Sequence, residues 1–286
     1  MDIANNWKDY ELIDAGSFEK LERWNNIYLL RPDPQVIWDD RNLLELYKNK
    51  IDAYYKRSNT GGGFWQDFKK INESWIINYK DLKFNIKKMG FKHTGLFPEQ
   101  AVNWDFMRKK IKSSKRKIKV LNLFAYTGGA TIACLKENAH VTHVDSSRGM
   151  IDWCKGNVKI NNIDETLVRY IEDDVLKFVK REMRRGNKYD AIIMDPPSYG
   201  RGSNKEVWSF EKNIYELVNL TFKLLSDNPL FFIINSYTTG ISSKSLENIL
   251  KNKFNKGIIT SGELGLNITK NNLVLPCGIY GRWENE

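Results

Sequence analysis

Beyond residue 117 the chain alternates buried-strand runs with helical stretches, and this alternation constrains the fold more than any other feature. Strand runs fall at 118–124, 141–145, 167–171, 189–194 and 230–234, with helical patterns at 130–137, 150–160, 175–185 and 213–225 between them. The runs are rich in Val, Ile and Leu without a polar partner at every second position, so both faces must be covered. Repeated strand–helix units of this kind predict an α/β, doubly wound, Rossmann-like sheet, mostly parallel, with right-handed crossovers. Residues 257–283 read as two further strands around the polar turn 267–272, which adds one antiparallel strand at a sheet edge.

The N-terminal part follows a different pattern. Short segments at 10–13, 21–24, 27–30, 74–79 and 82–87 mix aromatic and β-branched residues with polar ones, as half-buried strands do. Residues 31–34 (RPDP) break the pattern. Leu43, Leu44, Leu46, Tyr47 and Ile51 predict one helix over 41–55, and Gly61–Gly63 predict a turn. Two domains follow: a small β-rich one at 1–88 and a larger α/β one at 89–286.

With 286 residues, 41% hydrophobic and 28% charged, the chain has ample material for a core and does not have the composition of a disordered one. Its longest apolar runs, such as 229–235, fall far short of the roughly 20 residues that span a bilayer. Residues 1–9 show no signal-peptide pattern. No membrane association and a cytoplasmic location are expected. Cys134, Cys154 and Cys277 form no CxxC pair, so neither a disulfide framework nor a metal site is expected. The net charge of +10 is concentrated. Residues 108–119 (RKKIKSSKRKIK) carry eight basic residues and no acid, and 180–188 (KREMRRGNK) carry five and one. Both precede strands, the first and the fourth, at the amino edge of the sheet. Either they form a solvated face or they dock nucleic acid.

In open α/β sheets ligands bind at the carboxyl ends of the strands, so those ends carry the chemistry. The first strand ends in Asn122, Leu123, Phe124, Ala125, Tyr126, Thr127, Gly128 and Gly129, where glycines allow close backbone approach to a ligand or simply make a tight turn. The second ends in Asp145, Ser146 and Ser147. An acid there can accept from both hydroxyls of a ribose, or cap the next helix. Loop and acid together favour an adenosine-bearing ligand. The GxGxxG spacing of dinucleotide sites is absent. The third strand ends in Asp173, Asp174 and Val175, where a carboxylate can accept from an adenine amino group, cap the next helix, or both. The fourth ends in Asp195, Pro196, Pro197, Ser198 and Tyr199. Prolines lack an N–H and cannot continue a ladder. Rigid acceptors beside an aromatic ring suit a planar, amino-bearing substrate.

Together, residues 122–129, Asp145, Asp173–Asp174 and Asp195–Tyr199 resemble the successive motifs of class I S-adenosylmethionine-dependent methyltransferases. The D-P-P-x-[FY] form combined with L-N-L-F-x-Y-T-G-G is most similar to the branch containing large-subunit ribosomal RNA base methyltransferases. Residues 91–100 (FKHTGLFPEQ) resemble that branch's T-G-x-F-x-x-Q stretch. The resemblance implies that His93, Thr94, Gly95, Leu96, Phe97 and Gln100 close over the methionine end of S-adenosylmethionine. It implies that 122–129 hold the methionine portion, Asp145 to Ser147 the ribose, and Asp173 to Val175 the adenine. Asp195 would border the cofactor and, with Pro196, Pro197 and Tyr199, form the catalytic segment, while Ser198, Tyr199 and Arg201 would meet the substrate. The implied partner is RNA, with ribosomal RNA favoured, and no metal is needed, because methyl transfer is an in-line displacement that requires positioning. A small aromatic amine, a protein amide, or an RNA-binding scaffold without turnover are the alternatives.

Methylation of a pyrimidine C5 needs a cysteine nucleophile, and Ser198 and Asn235–Ser236–Tyr237 stand where related enzymes place one. A base nitrogen is therefore the expected acceptor. Cys277 is read as a small buried residue or as a thiol entering from the last strand. His140 and His143 read as sheet residues, whereas His93 lies in the cofactor-closing stretch. Residues 200–212 show no strand or helix pattern, and form either a lid carrying Arg201, Lys205 and Trp208 or a solvated loop.

Overall fold

The computed structural model describes residues 1–58, 62–201 and 207–286, the Arg201 side chain excepted. A two-residue strand β1 (Asp2–Ile3) is followed by β2 (Tyr10–Gly16), β3 (Glu19–Trp24), β4 (Ile27–Pro32), helix α1 (Leu43–Leu46), β5 (Ala53–Arg57), β6 (Gly63–Asp67), β7 (Trp75–Tyr79) and β8 (Leu82–Ile86). Then come α2 (Ala101–Ser114), β9 (Lys119–Leu123), α3 (Gly129–Leu135), β10 (His140–Asp145), α4 (Arg148–Ile160), β11 (Val168–Glu172), α5 (Val175–Arg184) and β12 (Ala191–Met194). The chain ends with β13 (Tyr199–Arg201), β14 (Val207–Ser209), α6 (Phe210–Phe222), β15 (Phe231–Ser236), α7 (Ser243–Lys251), β16 (Ile258–Asn267) and β17 (Val274–Glu284).

Two compact units result. One comprises Met1–Asp2, Val102–Leu264 and Gly278–Glu286, and the other Ile3–Ala101 with Gly265–Cys277. The second unit thus takes a late segment that the hydropathy pattern assigns to the larger domain. Ile268 bridges Leu12, and the Thr269 and Lys270 amides donate to the Leu12 and Ile13 carbonyls.

The smaller unit holds a five-stranded sheet in the order β2-β3-β4-β5-β6 and the hairpin β7-β8. Ile13, Leu21, Leu30, Leu43 and Ile51 form its apolar cluster. The helix predicted over 41–55 is corrected to the four residues of α1. The Tyr47 hydroxyl is drawn to Asp14 (2.8 Å), and Ala53 pairs with Leu29 in a parallel ladder. The alternating Ala53, Tyr54 and Tyr55 satisfy a strand, so tertiary pairing overrides the helical spacing. Gly63, read as part of a turn, opens β6.

The larger unit is built on a sheet in the order β1-β16-β17-β15-β12-β9-β10-β11. β15, β12, β9, β10 and β11 are parallel, and β17 runs antiparallel to β15. Leu121, Leu123, Ile192, Met194, Phe232 and Ile234 point to one face, where they cluster with Phe178, Val179, Ile214, Leu217, Val218, Leu246 and Leu250 of α5, α6 and α7. Alternate residues point to the other face. Each buried Leu or Ile contributes roughly 2 kcal/mol by area, so this sandwich is what fixes the strand ends in place. Of residues 200–212, those described carry more order than their sequence pattern suggests: β13 and β14 pair antiparallel, and α6 starts at Phe210.

Candidate active site

The chain reaches β11 at one edge of the parallel sheet and then crosses back to β12, which pairs with β9. The carboxyl ends of β9 and β12 therefore flank the point where strand order reverses, the place where open α/β sheets bind ligands. The Asp195 amide donates to the Leu123 carbonyl (3.3 Å), and this joins the two predicted motifs.

The loop after β9 is tightly wound. Phe124 (φ 54°), Tyr126 (φ 52°) and Gly128 (φ 91°) all adopt left-handed backbone. For the two aromatic residues this costs about 1–2 kcal/mol each. The loop is held by Ala125 N–H to Val144 O (3.0 Å), Gly128 N–H to Ala125 O (3.0 Å) and Asn157 Nδ2 to Thr127 O (2.9 Å). A Cβ on Gly128 would lie 2.4 Å from Cys154 Sγ, so glycine is required both by φ and by space. Under the loop, Asn122 Nδ2 donates to Thr131 Oγ1 (3.0 Å), which contacts His143 Nδ1 (2.9 Å). Asn122, Thr131 and His143 are fully enclosed. Burial depresses the His143 pKa to about 3, so the imidazole is neutral. His143 thus lies beneath the loop as a sheet residue, and His140 is exposed at the other end of β10.

Asp145 ends β10. Its Oδ2 accepts from Tyr126 N–H (2.9 Å) and its Oδ1 from Ser147 N–H (2.9 Å). Burial pushes its carboxyl up, and the two amides pull it part of the way back. A carboxylate offers about four lone-pair positions, so capacity remains for a pair of hydroxyls. Ser147 occupies the N-cap position of α4 without a side-chain capping bond. At the next strand end the two acids differ. Asp174 caps α5 by accepting from Lys177 N–H (2.9 Å), whereas Asp173 pairs with Arg181 and receives Asp174 N–H (2.9 Å). Val175 is buried as the first helical residue.

After β12, Pro196 is buried and Asp195 half-buried, while Pro197, Ser198 and Tyr199 are exposed. The Tyr199 ring is 56% exposed, enough to offer a face. The carbonyls of this segment are less available than the sequence implies. Trp208 Nε1 donates to Pro197 O (2.7 Å), and Phe210 N–H donates to Ser198 O (3.0 Å). The Trp208 ring also packs on Phe124 at 5.0 Å. Trp208 therefore staples the proline segment to the glycine loop, a role its position in a polar stretch did not reveal. The Thr238 hydroxyl donates to Ser198 Oγ (3.0 Å), tying in the exit of β15. The Arg201 side chain and Lys205 lie outside the described residues.

His93, Thr94, Gly95, Leu96, Phe97 and Gln100 belong to the smaller unit. Thr94, Leu96 and Gln100 are buried, Gly95 takes φ 95°, and residues Pro98–Gln100 form a 3-10 turn. The His93 ring packs edge-on against Phe91 and Phe97, and burial depresses its pKa to about 3. Cys277, also in this unit, is half-buried and donates to Leu275 O. Among the described residues no group of His, Cys, Asp and Glu is arranged to hold a metal ion, and no helix is long and apolar enough to cross a membrane.

A parallel sheet with a strained glycine loop and an acid-tipped neighbour at its reversal point defines a nucleoside-ligand enzyme fold. Residues 55–246 match the S-adenosylmethionine-dependent methyltransferase family, and the chain belongs to that family. It is similar to the crystal structure of the SAM-dependent methyltransferase from Agrobacterium tumefaciens, with 31% identity, 99% of this chain and 93% of that chain covered, and a TM-score of 0.93. Among curated relatives, the ribosomal RNA large subunit methyltransferase K/L of Shewanella frigidimarina is 27% identical over 82% of this chain and 30% of its own length. The ribosomal RNA large subunit methyltransferase K of Neisseria meningitidis is 27% identical over 76% of this chain and 62% of its own length. The chain thus spans about a third of the K/L relatives it matches. The Asp145 carboxylate, with acceptor capacity left over beside the left-handed loop, fits S-adenosylmethionine, the family's cofactor.

Proposed function

We propose that this chain transfers the methyl group of S-adenosylmethionine to a base nitrogen in RNA, with ribosomal RNA as the favoured substrate and the cytoplasm as its site of action. The observation that carries the reading is the joining of Asp195–Tyr199 to the glycine loop at the sheet's reversal point, with the Tyr199 face exposed. The names of the curated relatives support the choice of RNA.

When bound, S-adenosylmethionine supplies an electrophilic methyl group on sulfonium sulfur. Residues 122–129 would hold its methionine portion, Asp145 its ribose, and Asp173 or Asp174 its adenine. The Asp195 carboxylate would accept an N–H of the acceptor nitrogen, fixing the lone pair in line, while Tyr199 stacks on the base. Cys134 and Cys154, the cysteines of the larger unit, are buried and their thiols are pushed up by burial, so neither supplies the nucleophile that a C5 acceptor demands.

The test is transfer of tritiated methyl to total RNA from a strain lacking the gene, followed by nucleoside analysis. Label in an N-methylated base is the expected result. Label confined to protein or to small molecules would overturn the RNA assignment.

A further inference from the structure

At the amino edge of the sheet, opposite Asp145 and Asp195, the starts of β9, β10 and β11 and the approach to β12 line an open cavity of about 380 Å³. Its lining includes the exposed cations Lys117, Lys119, Arg169 and Lys188. Asp190, the one carboxylate in the lining, is already engaged. Its Oδ1 accepts from Arg116 Nη1 (2.8 Å) and Ser226 Oγ (2.8 Å), and its Oδ2 accepts from Lys119 N–H (2.9 Å). Behind Arg169, Glu182 is fully buried and accepts from Tyr189, Asn187 and Arg185 as well.

The lysines are not neutralised in this way. Lys117 and Lys119 have no carboxylate partner among the described residues. Lys188 donates to the Lys223 carbonyl (2.7 Å), which leaves its charge uncompensated. Two acids, Asp164 and Glu165, stand on the turn before β11, and Asp164 caps that turn through Thr166 N–H. A concave site with unpaired cations focuses a positive potential outward. Three uncompensated lysines stand at the start of β9 and the approach to the adjacent β12, with Arg169 two strands further along on β11, whereas a lone phosphate engages only one or two cations. That spread fits a series of phosphates along a strand.

We propose that this cavity docks the phosphodiester backbone of an RNA segment remote from the one presented to Asp195. The identity of the polyanion rests on the RNA reading above. A five-residue strand spans roughly 17 Å, so the docked segment and the target base contact opposite edges of the sheet, and the RNA must be large enough to reach both.

The test compares the wild type with Lys117→Gln/Lys119→Gln/Lys188→Gln, a variant that keeps the Arg169–Glu182 pair intact. RNA affinity is measured by anisotropy over a salt series, with a folded ribosomal RNA and with a short oligoribonucleotide. For the folded RNA, an affinity loss of at least tenfold at low salt is expected, with the slope of log K against log salt reduced by about 2–3, while calorimetric affinity for S-adenosylmethionine is unchanged. An unchanged slope overturns the proposal, as does full displacement of the RNA by AMP from the wild type, which would mark a small-ligand site. RNA methylation by the wild type with an unchanged slope in the variant removes the docking inference alone. A slope that depends on the cavity lysines, without methyl transfer to RNA, removes the catalytic reading and leaves docking in place.

Discussion

Asp145 and Asp190 are aspartates at opposite edges of the same sheet, and the protein engages them to different extents. Asp145 meets only two backbone amides, and burial raises its carboxyl. Burial also opposes ionisation of Asp190, but the Lys119 amide, Arg116 and Ser226 outweigh it and hold that carboxyl low. The first aspartate is thus left with acceptor capacity, at a destabilising cost. The second is engaged by three protein donors, which leaves neighbouring lysines without an anion. On the proposed function, what separates a ligand-binding carboxylate from a structural one is the number of protein donors aimed at it, and that count is invisible until the strands are paired.

The largest test of the contrast is Asp195→Ala at the carboxyl edge. Methyl transfer should fall about 10³-fold, the range found when a transition-state-positioning group is removed. Calorimetric cofactor affinity should stay within a few-fold. Full activity would break the assignment of chemistry to that edge. Next in size is Gly128→Ala, in which left-handed backbone and contact with Cys154 Sγ combine to cost about 3 kcal/mol in urea unfolding. Adding Cys154→Ala should recover the steric part and leave about 1–2 kcal/mol of backbone strain. If the double variant matches wild type, the loop is not strained as described.

Asp145→Asn should weaken cofactor binding by about 2 kcal/mol, roughly 30-fold. Ribose hydroxyls donate best to the ionised carboxylate, and this carboxyl is raised. Wild-type affinity should therefore begin to fall on acidification at a higher pH than an ordinary aspartate, near 3.9, would produce, and the Asn variant should be flat there. The linkage to folding has the opposite sense. The native state binds the Asp145 proton more tightly than the unfolded chain, so the ionised group costs stability above its unfolded pKa, and Asn relieves that cost. Titrating cofactor affinity and urea stability of both proteins over the acid range separates the two effects.

His143 adds a pH effect of similar size. Unfolded, it titrates near 6.5, but folded only at about 3. Stability is complete above the unfolded value and declines as pH falls toward the folded one, with about 2 kcal/mol lost by pH 5. His143→Asn should lack this component in denaturant titrations at pH 7 and pH 5.

The sequence reveals the strand ends because they carry unusual chemistry at fixed places in a βα repeat: Gly128 and Gly129, Asp145, Asp195 and the proline pair can all be read before any contact is known. The parallel core is equally legible, since its strands are apolar on both faces. Long-range contacts are not legible. Trp208 looks like any aromatic in a polar stretch until its indole N–H reaches Pro197. Residues 265–277 look like part of the last hairpin until the Leu12 carbonyl claims the Thr269 amide. The spacing of leucines over 41–55 suggests a helix because nothing local announces that Ala53 will pair with Leu29. Charge is the intermediate case. Counting lysines locates the basic segments, but only the structure shows that the nearby acids, Asp190 and Glu182, are already committed.

The smallest expected effect bears most directly on the contrast between the two edges. Asp190→Asn removes a carboxylate held by three donors and should cost only about 1 kcal/mol of stability, because Arg116 is partly exposed and water screens much of the pair. Cofactor affinity should not change, since Asp190 stands at the amino edge. Releasing Arg116 from its anion adds one uncompensated cation beside Lys117 and Lys119, so RNA affinity should rise at low salt, with a slope steeper by about 0.7–0.9. A lower RNA affinity would mean that Asp190 organises the cavity instead of neutralising it. A change in cofactor affinity would mean that the two edges are coupled through β9 and β12, and that their separate roles cannot be assigned from local donor counts.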